Sequence, residues 1–407
     1  MPHPLFEGHA GLEALSAWAL ESGANDKPLK YFVGMDIGGT NTRVSVARDG
    51  VREQVALLKI ASSSLPEILS SLRDILPDVL LVTNGLTATR ASVAVAGPIE
   101  SDGLSVVLTN FPGKDLLKVS DLPTGLFPTG QTSLCNDLEA AAYGILSLGA
   151  EQHIPDFFRP LYQSALGQEA LQPHNYLVVA AGTGLGVAML YYNRRSSGHM
   201  VVPLEAGHCL SAVQGSMDLA AFFAEHGLHD TTIPIANSAF DAVSFITAIQ
   251  MRLHAQAPVW SVEYEDIASG RGVVLAFQLL GGDPSLTAGD IAKNAAEFVG
   301  NPEEEAEGEG GGKDALRCAQ ALFIHYMWVW NAIQNMCIPL QCKGVIFCGD
   351  NQVSNDAFFT AYQQAWRQQF LSHPKKDWLE PVLLDVLVQT KPVNMNVRGA
   401  LYLAELA

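Results

Sequence analysis

Val33-Gly34-Met35-Asp36-Ile37-Gly38-Gly39-Thr40-Asn41-Thr42-Arg43-Val44-Ser45-Val46 reads as strand, polar glycine turn, strand. The apolar run from Tyr31 to Ile37 enters the turn, and alternating Val44 and Val46 leave it. Gly38 and Gly39 let bare backbone amides approach an anion and permit φ values that other residues resist. Thr40 and Asn41 add side-chain donors, and Asp36 sits at the strand end, where a carboxylate can hold a hydrated Mg²⁺. The combination points to a nucleotide-phosphate site built on a hairpin. A tight turn followed by solvated polar residues is the competing reading.

Working outward, a second hairpin echoes the first. Tyr176 to Ala181 and Gly186 to Tyr192 flank Gly182-Thr183-Gly184-Leu185, which hints at two related halves. The glycines there imitate a dinucleotide fingerprint, with Glu205 at the right distance. Val187 stands where the third glycine belongs, and the segment after the turn reads as strand, where a Rossmann turn needs a helix. No Walker A sequence occurs either. Two glycine hairpins, each with amides and a threonine, can clamp a triphosphate from both sides. A third turn, Gly349-Asp350-Asn351, follows the strand Gly344 to Cys348 and can pack against the nucleoside.

Between the hairpins Asn136-Asp137 ends the strand Thr132 to Cys135 and starts the helix Leu138 to Leu148. Such a pair is a natural N-cap. It also places a carboxylate to take a proton from an attacking hydroxyl, and phosphoryl transfer asks only for a weak base because that proton becomes acidic late. Glu205-Ala206-Gly207-His208 follows the strand Met200 to Leu204 and pairs a carboxylate with an imidazole, suited to vicinal sugar hydroxyls. Thr109-Asn110 and Glu265 are further polar candidates; an exposed acid at a helix start is the plain reading of Glu265.

The 407 residues favour two domains, and 48% hydrophobic residues allow a sizeable core. A formal charge of −18 argues against nucleic acid or an anionic membrane as partner. Six cysteines without a CxxC pair read as buried free thiols in a reducing compartment. No apolar run is built to span a bilayer, and residues 1–30 lack a basic leader, so cytoplasm is expected. Residues 151–174 read as an insertion, and the acidic, glycine-rich 301–312 as a surface loop without chemistry. Alternating strands and helices indicate α/β layers, with helices dominant from about Met217 and the longest covering Asp314 to Met336.

Asp36 to Arg43, Leu108 to Asn110, Asn136 to Gly144, Gly182 to Gly186, Glu205 to His208 and Glu265 to Gly270 stand in an order and spacing that resembles bacterial-type glucokinases, closest in pattern to protist, trypanosomatid-like members. The resemblance runs from about residue 31 to the C-terminus. It implies the two-domain actin-like ATPase (ribonuclease H-like) α/β fold with an interdomain active-site cleft. In that scheme residues 1–29 are an extension, 30–135 with about 390–407 form the small domain, and 136–389 the large one. By the same resemblance Asp137 is the catalytic base, while Asn110, Asn136, Glu205, His208 and Glu265 are sugar ligands. Asp36, Ile37, Gly38, Gly39, Thr40, Asn41, Gly182, Thr183, Gly184, Gly349 and Asp350 hold ATP, with Mg²⁺ on Asp36 through water. The implied partners are glucose and MgATP, with neither nucleic acid nor membrane; the family suggests a homodimer. Gly349-Asp350 departs from the usual Gly-Gly, and Cys209 stands without the zinc-binding cysteine cluster of the repressor–kinase branch. A kinase for mannose or glucosamine, or a non-catalytic sugar sensor on the same fold, are the alternative readings.

Overall fold

Contacts in the computed structural model divide the chain into two units, residues 1–154 with 394–407 and residues 155–393. The structure describes Ala17 and residues 30–39, 41–48, 56–61, 64–83, 85–109, 111, 113–162, 170–211, 218–228, 241–256, 261–300 and 311–406. The acidic segment 301–310 and most of the N-terminal extension therefore lie outside the described residues.

The first unit is built on a five-stranded sheet in the order β3-β2-β1-β4-β7, where β1 is Tyr31–Ile37, β2 Asn41–Arg48, β3 Ala56–Ala61, β4 Arg90–Val95 and β7 Thr132–Asn136. β5 (Ser105–Val107) and β6 (Leu116–Lys118) pair beside it. β1, β2 and β3 run antiparallel, while β4 and β7 continue parallel to β1. Every residue of β1 is buried, as a strand covered on both faces requires. Tyr31, Val33, Met35 and Ile37 face helix α1 (Leu65–Val82) through Ile68, Leu72, Ile75 and Val79. That apolar spacing carries α1 past Pro77 to Val82. Phe32, on the other face, meets Leu401 and Ala404 of the C-terminal helix Met395–Leu406.

That helix also packs on α2 (Asp137–Ala150) with backbones nearly touching. A Cβ at Gly399 would lie 1.6 Å from the Ala140 carbonyl oxygen, and one at Gly144 would lie 2.4 Å from that of Met395. Gly34 gives the same access over β1, where a Cβ would sit 2.7 Å from the Leu401 nitrogen. This packing keeps α2 in the first unit. The sequence reading cut the chain after residue 135; contacts place the cut after residue 154.

The second unit repeats the plan. Its sheet runs β11-β10-β9-β12-β13-β8, with β8 Phe158–Pro160, β9 Asn175–Ala181, β10 Leu185–Asn193, β11 Gly198–Leu204, β12 Cys342–Phe347 and β13 Val386–Gln389. An antiparallel trio again leads into two parallel strands, β12 and β13, and β8 closes the edge antiparallel. The two echoing hairpins are thus equivalent strands of two like-ordered sheets. α3 (Ile154–Phe157) precedes β8, and between β8 and β12, apart from the hairpin strands, lie α4 (Leu219–Glu225), α5 (Ala242–Gln256), α6 (Gly270–Leu279), α7 (Ala288–Gly300) and α8 (Gly311–Cys337). After β12 come α9 (Asp350–Ser354), α10 (Asp356–Ala361), α11 (Gln363–Leu371) and α12 (Lys376–Leu379); the C-terminal helix is α13. α8 is buried nearly all round, and its Trp330 packs 5.2 Å from Phe347 and 5.4 Å from Phe370, ring centre to ring centre. Five cysteines are buried free thiols, whereas Cys209 is exposed. No described helix is long and apolar enough to cross a membrane.

Candidate active site

Parallel strands bring their carboxyl ends to one edge, the usual place for ligands in α/β sheets. In the first unit Ile37, Val95 and Asn136 share one register row, and Asp36, Ala94 and Cys135 the row beneath. Asp36 is 5% exposed, and a carboxylate so buried needs donors. Asn396 Nδ2 donates to its Oδ1 at 3.2 Å and Asn394 Nδ2 to its Oδ2 at 3.3 Å, while the Arg43 guanidinium stands 3.9 Å away. In the turn the Gly38 N–H donates to the Asn41 carbonyl at 3.1 Å, and a Cβ at Gly38 would meet that oxygen at 2.8 Å. Gly39 is exposed at the tip; Thr40 lies outside the described residues.

At the end of β7 the capping duty falls on Asn136. Its Oδ1 accepts from the Leu138 N–H at 2.8 Å, and its own N–H donates to Glu139 Oε2 at 3.3 Å, a reciprocal capping box. Asp137 is left as the first helical residue, with its carboxylate at the positive end of α2 and Oδ1 accepting from Leu138 N–H at 2.8 Å. Burial pushes the Cys135 thiol up to about 12, and the Glu139, Asp36 and Asp137 charges add to the push. Burial also raises the Glu139 carboxyl. The Thr109 N–H donates to the Ala96 carbonyl at 3.1 Å, which brings the loop after β5 to the end of β4; Asn110 itself lies outside the described residues.

In the second unit the hairpin between β9 and β10 is closed by Gly182 N–H to the Gly184 carbonyl at 2.8 Å. The Gly182 carbonyl accepts from Gly270 N–H at 2.8 Å, which docks the start of α6 on the turn. Thr183, at the tip, is exposed. Glu265 is not the exposed helix-start acid of the plain reading. Its Oε2 accepts from Leu185 N–H at 3.1 Å, and a Cβ at Gly184 would stand 2.5 Å from that oxygen. The carboxylate therefore braces the hairpin. Residues 207–210 pair with 263–265, with Glu265 N–H donating to Gly207 O at 2.9 Å and Tyr264 N–H to Cys209 O at 3.0 Å.

That pairing brings His208 to Glu263, which the sequence reading missed, with Nδ1 2.8 Å from Oε2. The Glu263 hydrogen bond raises the His208 pKa, and the charges of Glu265, Glu263 and Glu205 push the same way. Glu205 is exposed just before the turn Ala206–His208, so the imidazole pairs with Glu263 and not with the carboxylate three residues earlier. One loop pair thus presents three carboxylates and an imidazole, the donors and acceptors that a polyol requires.

The third turn needs its glycine, since Gly349 sits at φ +104°. Its N–H donates to Oε1 of the fully buried Gln389 at 2.9 Å, and Gln389 Nε2 donates to the Lys391 carbonyl at 2.9 Å. Asp350 is exposed at the first position of α9. A cavity of about 540 Å³ opens from Gly182 and Gly270 to Asn351, walled by α6, α7 and α8. On α7 its lining includes small residues at one-turn spacing, Ala288, Ala292 and Ala296, a pattern that in sequence looks like ordinary helix core. Among the described residues no cluster of His, Cys, Asp and Glu is gathered for a resident metal.

Residues 33–225 match the sequence model of the glucokinase family. Glucokinase 1 of Trichomonas vaginalis is 29% identical over 390 residues, covering 92% of this chain and 93% of that protein. The crystal structure of glucokinase from Balamuthia mandrillaris in complex with glucose is 33% identical, covers 98% of this chain and 99% of its own, and superposes with a TM-score of 0.79. Leishmania braziliensis glucokinase shares the fold at a TM-score of 0.70 and 19% identity, covering 96% of this chain and 97% of its own. The mixed α/β fold is that of sugar kinases of the actin-like ATPase type. With like-ordered sheets, matching glycine turns and this extent of similarity, the chain belongs to the glucokinase family.

Proposed function

We propose that this chain transfers the γ-phosphoryl group of MgATP to the 6-hydroxyl of glucose, giving glucose 6-phosphate. The observation that carries the reading is the shared strand edge of the first unit, where Asp36 lies beside a glycine turn and Asp137 opens a helix one strand beyond β4. Asp137 takes the proton of the 6-hydroxyl as the phosphoryl group leaves. Asn136 and Glu139 form the capping box, and Asp137 Oδ1 shares the Leu138 N–H with Asn136. Asn110, Asn136, Glu205, His208 and Glu265 hold sugar hydroxyls, and Glu263 orients His208.

The turn amides of residues 37–41 and 182–184 hold phosphate oxygens, and the cavity beside Asn351 takes the nucleoside, with Gly349 and Asp350 at its rim. Magnesium arrives with the nucleotide. Asp36 suits it, a hard oxygen donor whose two oxygens are each steadied by an asparagine amide, and it holds the ion through water. Buried free thiols support a reducing compartment such as the cytoplasm.

A coupled assay with glucose, mannose, fructose and glucosamine tests substrate and reaction together. Glucose is expected to give the highest kcat/KM; preference for another hexose refutes the substrate, and binding without turnover refutes the enzyme. Asp137→Ala is expected to lower kcat by roughly 10²- to 10⁴-fold with glucose binding largely kept, the usual worth of a general base. Retention of most of the rate removes Asp137 from that role.

A further inference from the structure

Backbone bonds tie the loop 207–211, which carries His208, to the loop 262–265, which carries Glu263 and Glu265. A further fastening, to α8, starts between the two glutamates. Tyr264 is 2% exposed, and its ring belongs to the core of the second unit. Its hydroxyl donates to Asn331 Oδ1 at 2.9 Å and accepts from Asn335 Nδ2 at 2.8 Å. Asn335 Nδ2 also reaches Asn331 Oδ1 at 3.3 Å and the Asn331 carbonyl at 2.9 Å, so the three side chains close one network. A phenol that donates and accepts at once is held in direction as well as in depth. Asn331 itself is buried in a helix whose neighbours are apolar nearly all round. Asparagine is a poor helix former, and burying its amide is costly without partners, so packing alone does not call for it there. Trp328, one turn earlier, donates Nε1 to Ser211 Oγ at 3.0 Å, and the Ser211 N–H donates to the Val262 carbonyl at 2.8 Å. Residues 328, 331 and 335 share one face of α8 by helical spacing, so that face holds both members of the loop pair.

We infer that Asn331 and Asn335 are positioning residues for the sugar-binding loops, setting through the Tyr264 hydroxyl the height at which Glu263 and Glu265 stand. The inference rests on the proposal above that this loop pair holds sugar hydroxyls. Glu263 Oε2 must stay near His208 Nδ1, 2.8 Å away, and Glu265 Oε2 near the Leu185 N–H, 3.1 Å away. Both glutamates are one residue from Tyr264, so they follow where it is pinned. A hydrogen bond is lost by about 3.6 Å, so a shift of about 1 Å at Tyr264 is enough to break either contact.

The test uses the full chain with three substitutions. Tyr264→Phe removes the hydroxyl and keeps the ring. Asn331→Leu nearly keeps the volume and removes the acceptor. Asn335→Ala, at an exposed position, removes one donor. KM and kcat with glucose and KM for ATP are measured, and the His208 imidazole titration is followed by NMR. A neutral hydrogen bond shifts affinity by about three- to tenfold. Tyr264→Phe loses two such bonds, so KM for glucose is expected to rise about five- to thirtyfold. Sugar binding then weakens in ground state and transition state together, so kcat should stay within about threefold and KM for ATP should hardly move. Asn335→Ala should raise KM for glucose about threefold. Tyr264→Phe combined with Asn331→Leu should be no worse than the poorer single variant, because both remove the same bond. In Tyr264→Phe the His208 titration should move to lower pH, the direction expected as Glu263 slips from the imidazole.

A Tyr264→Phe chain with the wild-type KM for glucose and the wild-type His208 titration overturns the inference and leaves the sugar reading standing. A moved titration with an unchanged KM means that the anchored loops hold no sugar, which removes that reading and this inference with it. A raised KM with an unmoved titration overturns the inference, since Glu263 has then kept its place. Equal rises in KM for glucose and ATP mark a general loosening and overturn it as well. If Tyr264→Phe and Asn331→Leu fail to fold, Asn335→Ala decides: a rise in KM for glucose alone supports the assignment, and an unchanged KM overturns it.

Discussion

Gly399→Ala adds one methyl group where α13 crosses α2, and the structure fixes what that methyl meets. It would sit 1.6 Å from the Ala140 carbonyl oxygen, 2.6 Å from the Ala140 carbonyl carbon and 2.7 Å from the Gly144 nitrogen. All three are backbone atoms of α2, so no side chain can swing aside. Ordinary contact would require the helices to part by roughly 2 Å, a large step in an interior packed like a crystal. Alanine is the better helix former by about 1 kcal/mol, which offsets part of the cost. Overpacking of this kind costs typically 1–3 kcal/mol, occasionally more, and the contact here falls at the severe end, so a net loss of about 2–3 kcal/mol is expected. In a unit of this size that lowers the melting temperature by roughly 5–10 °C.

The functional effect should exceed the thermal one. α2 begins at Asp137, and α13 follows directly on Asn394 and carries Asn396, the two donors to Asp36. Parting the helices moves both aspartates, and a misplacement of about 1 Å can cost on the order of 10²-fold in rate. Circular dichroism melts and a coupled glucose-phosphorylation assay read the two effects. Gly198→Ala, whose Cβ would have its nearest neighbour at 4.0 Å, serves as the neutral control. A Gly399→Ala chain that melts with the wild type and keeps its kcat refutes the reasoning.

Three further outcomes follow from single interactions. Glu263→Gln removes the largest cause of the raised His208 pKa, so the imidazole titration followed by NMR should move to lower pH; no movement means that the other carboxylates set it. His325 titrates near 4 when folded against 6.5 when unfolded, so the unfolded chain binds the extra proton. Its contribution is fully present above about pH 6.5 and is lost as pH falls toward 4, by roughly 3 kcal/mol at most; a folded His325→Phe chain should show a shallower acid loss, and an identical one refutes the assignment. Gly349→Ala forces an L residue to φ +104° at a cost of about 1–3 kcal/mol and should raise KM for ATP more than for glucose; an unchanged KM for ATP separates the turn from the nucleotide.

The sequence announced what is local. A glycine turn between alternating apolar strands is readable because strand period and turn chemistry lie within a dozen residues, and both hairpins appear where expected. What pairs across hundreds of residues left no such mark. Asn394 and Asn396 lie 358 and 360 residues beyond the carboxylate that they steady. Nothing in the sequence joins them to it, and Asn394 caps α13, with Oδ1 accepting from Val397 N–H at 2.8 Å. Glu263 was hidden for the same reason, since its partner His208 is joined to it only through the pairing of two irregular loops. The expected boundary after residue 135 follows strand-to-helix punctuation, which marks an element, whereas a unit is decided by what the element packs against. Gly399 and Gly144, the glycines that decide it, signal close packing only once the two helices are seen together.

Asn136 and Asp137 show how one local pattern can serve stability and chemistry at once. Both residue types cap helices, but only one residue can occupy the cap position. Here the neutral amide takes it and Glu139 completes the box, with Asp137 Oδ1 sharing the Leu138 N–H. That carboxylate then begins the helix, where the macrodipole favours its ionised form. Burial pushes Glu139 and Cys135, its neighbours in the same edge, toward their neutral forms. Asp36, which two amides and a guanidinium attend, and Asp137 stand at the same edge. On the proposed reading Asp36 stays fixed near the metal and Asp137 accepts a proton late in the transfer. Exchanging the roles within the pair, as Asn136→Asp with Asp137→Asn would, keeps the capping chemistry and removes the base, so it should leave the melting temperature nearly unchanged while turnover falls as far as in Asp137→Ala.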